Sequence, residues 1–497
     1  MGFIENIRDI AKKVGDRVLG IFDRGKLNNL ARETGFIQRS TSRMEGEDFV
    51  SLMTTEILGE EPVSAEGLCD MLRQINPKAD MSPQALNERI NREESVSYLK
   101  EVFGAAIGEN LAPVKSEISP ELLSPFGNVF LQDSTQITLH EKLADDFRGS
   151  GGSASSSALK IDLIYELKQD VIFKLLTGDA NIPDQSRPEE ILSEIRKGDL
   201  VMRDLGYFTV ASLRKIAEKD TFFLSRLLKG VNVYLSDDDD ASPADLPKHI
   251  DRKFGGLSVI DINVHIGGEK LPCRLVAYRL PDDVVRERRR KARISAGKKG
   301  RQPGKSYLNW LRFGFFVTNV PGEIWEPEVV GTVYRVRWQI ELTFRHWKSL
   351  LNINVLRGTR RERIECFLYG RLTAVVIMTM ICGYASWYAC RHLGKEASFH
   401  KIISWLKRKD RLAKAIRSGC LSGLFDELRR IMSKSLCKQK RKRKTTRQLL
   451  EERVPYMDSF PDDEAENKND NIIILFKKSD NEAENDDNSP VLYQKAA

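Results

Sequence analysis

Cysteine and histidine are scarce in this sequence, and their spacing fits neither a disulfide framework nor a metal site. The 497 residues include seven cysteines and six histidines. The cysteine count is odd, no pair is spaced C-x-x-C, and the histidines show no metal-ligand spacing. These absences exclude a disulfide scaffold and a zinc ribbon, and they indicate a reducing compartment. We interpret all the histidines, including His346, as structural or surface residues.

Signal sequences and repeated apolar runs are also lacking. The N-terminal stretch MGFIENIRDIAKKVGDRV is charged throughout, which is not typical of a signal peptide. One uncharged run, the 19 residues from Leu372 to Cys390, is long enough to cross a membrane. It contains two threonines, a glycine and a serine, and it does not recur in a chain of which 30% is charged. We therefore expect a buried core helix here, and no membrane as a partner.

Charge is present in quantity but is unevenly distributed. Residues 461–497 contain ten acidic residues and four lysines, a net charge of −6, so residues 1–460 carry +14 against +8 for the whole chain. A positive excess of this size on a folded body indicates a polyanion as partner. The acidic end, from residue 451 onward, is expected to be disordered because it has too few apolar residues to form a core.

Hydrophobic periodicity predicts an α/β protein with several regions. Residues 1–125 have a helical pattern, and residues 126–236 alternate between strands and helices. Residues 237–322 show strand patterns with no long helix between them, which predicts a β-rich insertion. The pattern is helical again over residues 323–450.

The β-rich region contains the densest positive run of the body. Such a run is often only a solvated face, but here glycines interrupt it and aromatic residues follow at once, which favours contact with a nucleic-acid backbone. The basic residues are Arg286, Arg288, Arg289, Arg290, Lys291, Arg293, Lys298, Lys299, Arg301 and Lys305, and the aromatic residues are Tyr307 and Trp310.

The stretch TVYRVRWQIELTFRHWKSLL is the most informative one. On a continuous helix Tyr334, Arg337, Glu341 and Lys348 fall within a sector of about 60°. A salt-bridged surface helix is the simpler explanation, but Glu341 and Lys348 are two turns apart, too far for an i,i+4 pair. A carboxylate aligned with cations suits a metal-dependent phosphodiester site. The predicted core face is opposite and consists of Val336, Ile340, Trp347 and Leu351.

These four residues resemble the Y-R-E-K signature of the DDE transposases of bacterial and archaeal insertion sequences, of the insertion-sequence-four type. Two aspartates in strand contexts fit the same family: Asp133 in FLQDSTQITL and Asp204 in VMRDLGYF. The resemblance extends over roughly residues 25 to 400. It implies a ribonuclease-H-like catalytic domain, residues 126–236 and 323–365, interrupted by the insertion at 237–322. It also implies that the helical domain 1–125 binds terminal inverted repeats, and it leaves 366–450 as a helical C-terminal region.

The resemblance further implies that Asp133, Asp204 and Glu341 are the catalytic residues and bind two Mg²⁺ or Mn²⁺ ions. Three carboxylates without histidine or cysteine are the hard ligands that such ions prefer. Tyr334, Arg337 and Lys348 would contact DNA near the cut, and Trp310 is a candidate for stacking on a flipped base. The expected partners are double-stranded terminal repeats and target DNA, bound by at least two protomers, in the cytoplasm of a prokaryote.

Two alternatives share much of this pattern. A ribonuclease-H-like metal nuclease would use the same three carboxylates without strand transfer. A DNA-binding protein derived from a transposase would need none of them, although the presence of all three acids argues against a decayed site.

Overall fold

The structure is a computed structural model that describes residues 7–39, 42–58, 64–111, 120–151, 155–186, 189–238, 240–439 and 444–460. The chain forms two compact units. The first consists of Met1–Ile118, Thr135–Asn181 and Leu342–Lys440, and the second of Ser119–Ser134, Ile182–Glu341 and Arg441–Ala497. This grouping differs from the linear domains expected from the sequence, because each unit is assembled from distant segments.

The strands and helices of residues 126–236 occur in the order that the periodicity predicted, whereas residues 237–322 contain helices that it did not predict. The α-helices in the described residues are α1 (Ile7–Ile21), α2 (Arg24–Glu33), α3 (Gly46–Thr54), α4 (Ala65–Ile75), α5 (Pro83–Ile90), α6 (Glu93–Leu111), α7 (Glu189–Leu192), α8 (Val210–Ala217), α9 (Leu246–Lys253), α10 (Asp282–Lys298), α11 (Lys305–Trp310), α12 (Pro327–Tyr334), α13 (Trp338–Leu350), α14 (Arg361–Leu393), α15 (Phe399–Lys407), α16 (Arg411–Arg417), α17 (Ser422–Ile431) and α18 (Thr446–Glu451). The strands are β1 (Val129–Thr138), β2 (Ala158–Glu166), β3 (Val171–Asp179), β4 (Leu200–Arg203), β5 (Phe222–Arg226), β6 (Val233–Tyr234), β7 (Val259–Ile266), β8 (Leu271–Arg279) and β9 (Phe313–Thr318).

The first unit is built around the long helix α14, which contains the uncharged run of the sequence. Among the described helices α14 is long and apolar enough to cross a membrane, but 83% of its most apolar 18-residue window is buried inside the protein. It packs against α6 and α3. At Gly370 a Cβ atom would lie 2.1 Å from the Met53 carbonyl oxygen, so only glycine allows this close approach to α3. The burial confirms the predicted core helix.

The second unit contains a mixed sheet with the order β1-β4-β5-β9-β8-β7-β6. Strands β1, β4 and β5 run parallel, and the remaining neighbours are antiparallel. Gln132 on β1 is in register with Arg203 on β4. Because the carboxyl ends of parallel strands meet at one edge of a sheet, this register brings the next residue of each strand, Asp133 and Asp204, side by side.

The expectation that residues 237–322 lack a long helix is wrong. The positive run lies on α10, a helix of 17 residues, with α9 and α11 on either side of it in sequence. Its buried residues recur at helical spacing. This apolar stripe is narrow and is diluted by arginines, so the run resembled a charged loop in the sequence. The buried residues are Val285, Arg288, Ala292 and Ala296.

The predicted disordered tail begins too early at residue 451. Residues 444–460 form α18 and a short 3₁₀ turn, Met457–Ser459, within the second unit. Tyr456 is 4% exposed and packs so closely on Gly331 that a Cβ atom there would lie 2.4 Å from its ring. Composition alone placed the boundary at the acidic residues and overlooked the apolar contacts of this segment. Residues 461–497, the acidic part of the tail, and residues 440–443 of the basic cluster Lys438–Lys444 lie outside the described residues.

Candidate active site

The site begins at the carboxyl ends of two parallel strands in the second unit. Asp133 follows Gln132 within β1, and Asp204 comes directly after β4; they are 4% and 6% exposed. The backbone N–H of Ser134 donates to Asp133 Oδ1 at 2.8 Å, which fixes that carboxylate. The hydroxyl of Ser134 in turn donates to Asp184 Oδ1 at 3.0 Å. The two aspartates are therefore held on neighbouring strands, separated by 71 residues of sequence.

The signature segment is not the continuous helix that its periodicity predicted. Helix α12 ends at Tyr334, a 3₁₀ turn occupies Arg335–Arg337, and α13 starts at Trp338. A 3₁₀ turn has three residues per turn, so it changes the angular relation between the residues before and after it. The predicted core positions are all buried, but Tyr334 and Arg337 are buried as well. The buried core positions are Val336, Ile340, Trp347 and Leu351.

Arg337 brings the three predicted acids together. Its Nη1 lies 3.4 Å from Asp133 Oδ2, and its Nη2 lies 3.4 Å from Asp204 Oδ1 and 2.9 Å from Glu341 Oε1. The side chains of Arg337 and Asp133 are each 5% exposed, that of Asp204 is 8% exposed and that of Glu341 is 12% exposed. Three carboxylates from distant parts of the sequence thus contact one guanidinium group in a nearly buried place.

Burial and charge act in opposite directions on Arg337. Burial lowers its pKa, but Asp204, Tyr334, Asp133 and Glu341 outweigh that effect and leave the pKa well above the ordinary value. The guanidinium therefore stays charged. A buried cation and buried carboxylates are tolerated here because each compensates the desolvation of the other.

Tyr334 fixes the signature segment to the strand that carries the second aspartate. Its hydroxyl donates to the carbonyl oxygen of Arg203 at 3.1 Å. Burial raises the pKa of the phenol far above its ordinary value, so the hydroxyl is a neutral donor at physiological pH. Arg203 itself is buried, which lowers its pKa to about 10.

The predicted DNA contacts outside the acids are placed in different environments. Lys348, in the first unit, donates from Nζ to the Gln136 carbonyl oxygen at 3.0 Å. Trp310 is partly buried and packs on Phe315, with ring centroids 4.3 Å apart. Neither arrangement tests the predicted contact with DNA.

The five basic residues that were predicted to contact DNA in this region, four on α10 and Lys299 directly after it, differ in exposure. Arg290, Lys298 and Lys299 are exposed, whereas Arg289 is partly buried and donates from Nε to the Leu308 carbonyl oxygen at 3.1 Å. Arg288 is 3% exposed and donates from Nη1 to the Phe313 carbonyl oxygen at 3.1 Å. Arg288 therefore points into the unit, and its predicted contact with DNA would require a rearrangement.

Sequence reasoning did not identify Arg335 and Arg226 as neighbours of the site. Both line a cavity of about 40 Å³ next to Asp204, together with Arg288 and Arg337. Arg335 donates to the Ser459 carbonyl oxygen at 2.8 Å and lies over the rings of Tyr456 and Phe460. The available signals were weak: Arg335 stands two residues before Arg337, and Arg226 ends a strand parallel to the two catalytic strands.

The chemistry of the three acids fits a divalent metal site, but their present spacing does not. Carboxylate oxygens are the ligands that Mg²⁺ and Mn²⁺ prefer. Within the described part of the chain, however, no three Asp, Glu, His or Cys residues stand close enough to hold an ion. The reason is visible at the site, where the guanidinium of Arg337 lies between the carboxylates.

The comparisons with known proteins agree with the class of site that this geometry defines. Residues 124–377 match the model of the transposase DDE domain family. The transposase of insertion sequence element IS231F from Bacillus thuringiensis subsp. israelensis is 31% identical over 401 residues, which cover 77% of this chain and 82% of that protein. The transposase of IS1151 from Clostridium perfringens is 28% identical, with 72% and 78% covered.

The chain belongs to the DDE transposase family of bacterial insertion sequences. This confirms the family that the Y-R-E-K signature and the two aspartates predicted.

Proposed function

We propose that this transposase binds the terminal inverted repeats of its element, cleaves the DNA at the element ends and joins the freed 3′ ends to target DNA. The observation that carries the proposal is the meeting of Asp133, Asp204 and Glu341 around one buried guanidinium. Acids brought together from two parallel strands and a helix are costly to maintain unless the site uses their charge.

Asp133, Asp204 and Glu341 would hold two divalent ions, Mg²⁺ or Mn²⁺. Such ions activate the attacking oxygen and stabilise the leaving oxygen of an in-line phosphoryl displacement. The protein itself would position the acids: β1 and β4 hold the aspartates, and the 3₁₀ turn followed by α13 holds Glu341. No nucleophilic side chain of the protein is needed, since water and then the 3′-hydroxyl attack.

DNA would be bound by several elements of the chain. The exposed residues Arg290 and Lys298 of α10 and Lys299 directly after it offer cations to phosphates, and Lys348 remains a candidate for a contact near the cut. Arg289 and Trp310 are partly covered and would need to rearrange to contact DNA. The helices of residues 1–125 would bind the terminal repeats, and a paired-end complex would contain at least two protomers.

The fold is compatible with a ribonuclease-H-like catalytic domain interrupted by an insertion. The parallel strands β1, β4 and β5 and the segment with Glu341 would form its catalytic face, and β7 to β9 with α9 to α11 would belong to the insertion at residues 237–322. The nuclease without strand transfer is not favoured, because the family to which the chain belongs is one of transposases. The purely DNA-binding alternative is disfavoured by the three acids around Arg337.

The test is Glu341→Gln in the full-length protein, assayed on terminal-repeat DNA with Mg²⁺. The amide is nearly the same size but carries no charge, so DNA affinity should stay within about twofold while cleavage falls by on the order of 10³-fold or more. Asp251→Asn is the matched control. Asp251 pairs with Arg279 and Arg312 and not with Arg337, so this variant should cleave DNA at the normal rate.

Cleavage by Glu341→Gln at the wild-type rate would remove the catalytic assignment.

A second assay supplies a pre-cut element end and a target plasmid with Mg²⁺. Joining of the two by the wild-type protein is expected of a transposase, and its absence with cleavage intact would support the nuclease.

A further inference from the structure

The contacts of Arg337 are unusual for a permanent buried ion pair. Two of its three carboxylate contacts are 3.4 Å long, and only the contact with Glu341, at 2.9 Å, is close to the 2.7–2.9 Å of a strong charge-assisted hydrogen bond. Its Nε is buried and donates to no atom of the residues that the structure describes. A guanidinium that compensated these acids permanently would be expected to form bidentate pairs and to use all its donors.

The charge balance also indicates that Arg337 is not the permanent partner of these acids. Three carboxylates close together repel one another, so the site needs positive charge among them. Arg337 supplies one positive charge where two divalent ions would supply four. The guanidinium and the ions cannot share the space, since like charges in a buried site repel strongly.

The structure also offers a different environment beside the acids. The cavity of about 40 Å³ next to Asp204 borders Arg337 and is lined by three further arginines, Arg226, Arg288 and Arg335. Arg337 thus borders open space on one side and the acids on the other.

On the basis of the proposed metal site, we propose that Arg337 is an internal counter-ion of the three acids which must leave them before divalent ions bind. In the absence of metal it holds Asp133, Asp204 and Glu341 together. When ions bind, they displace it, so each binding event includes the free-energy cost of breaking the three arginine contacts. Arg337 is thus a positioning residue that weakens metal binding while preserving the ligands.

The experiment measures Mn²⁺ binding to the full-length protein by calorimetric titration, with electron paramagnetic resonance of free Mn²⁺ as a second readout. Arg337→Gln removes the competing charge and should bind Mn²⁺ about tenfold or more tightly than the wild-type protein. Without metal the same variant should have a lower unfolding temperature, because the acids repel one another, and Mn²⁺ should raise that temperature more than in the wild type.

Arg335→Gln is the matched control. Arg335 lies in the same 3₁₀ turn and is equally buried, but it contacts the Ser459 carbonyl oxygen and two aromatic rings. Its loss should leave Mn²⁺ affinity unchanged. If Arg337→Gln does not fold, Arg337→Lys replaces it; a single ammonium contacts fewer acids, so an affinity above that of the wild type is expected.

The inference would be overturned if the Arg337 variant bound Mn²⁺ no more tightly than the wild type while Glu341→Gln lost Mn²⁺ binding. That result would leave the proposed function intact. If Glu341→Gln bound Mn²⁺ as the wild type does, the ions would not bind at these acids, and both the inference and the metal part of the proposed function would fail.

Discussion

The carboxylate site and helix α10 are both rich in charge, but they hold that charge in opposite environments. The side chain of Arg337 is 5% exposed and contacts three acids, whereas that of Arg290 is 61% exposed and pairs with Glu287 one turn away. In the first place the charges stabilise one another inside the protein. In the second they are solvated, and their pairs contribute little to stability. The number of charges in a sequence segment therefore does not indicate what those charges do.

Helix α10 repeats the same contrast within a few residues. Arg288 is buried and bonded to a backbone carbonyl group, while Arg290, two residues later, faces solvent. The difference comes from the apolar positions Val285, Ala292 and Ala296, which determine the face that turns inward. Variants of the two regions can test this comparison.

The largest effect is expected at the carboxylate site. Asp133→Asn, Asp204→Asn and the double variant should each reduce DNA cleavage by on the order of 10³-fold or more, and by similar amounts, since acids that act as a unit are not additive. The measurement is single-turnover cleavage of terminal-repeat DNA in Mg²⁺. Losses that multiply in the double variant would show that the two aspartates act separately.

A smaller effect, on stability, separates the two arginines of α10. Arg288→Gln should lower the free energy of unfolding by about 1–3 kcal/mol, because it removes a charged donor from a buried carbonyl oxygen. Arg290→Gln should leave the unfolding temperature unchanged within error. Denaturant titration of both variants provides the measurement, and a greater loss of stability from Arg290→Gln would contradict the burial pattern.

The smallest effect concerns the salt dependence of DNA binding. Lys298→Gln and Lys299→Gln should each reduce the slope of log K against log salt concentration by about 1 if each lysine contacts one phosphate. Their unfolding temperatures should not change, since both side chains are exposed. A slope equal to that of the wild type in the double variant would place the DNA elsewhere on the protein.

Much of the fold could be predicted from local patterns. The positions of most strands along the chain, the core helix α14 and the helical ends of the chain followed from periodicity, because apolar spacing reflects which face a segment buries. Helix α10 was missed because its apolar stripe includes an arginine and three small or β-branched residues. The order of residues 451–460 was missed because their apolar contacts are with residues far away in sequence.

The candidate site was predicted residue by residue but not in its arrangement. Tyr334, Arg337 and Glu341 were found from their spacing, and Asp133 and Asp204 from their strand contexts. Nothing local indicated that Arg337 would lie among the acids, nor that a 3₁₀ turn would separate α12 from α13.

The sequence by itself determined which family the chain belongs to and which residues are candidates for the chemistry, because residue spacing and strand contexts are local properties. Only the tertiary structure decided that Arg337 is buried against three carboxylates and that Arg288 turns inward. Burial and ion pairing depend on segments that meet across some two hundred residues of chain, as Asp133 and Arg337 do. Such meetings are fixed by the packing of the whole unit and leave no local trace in the sequence.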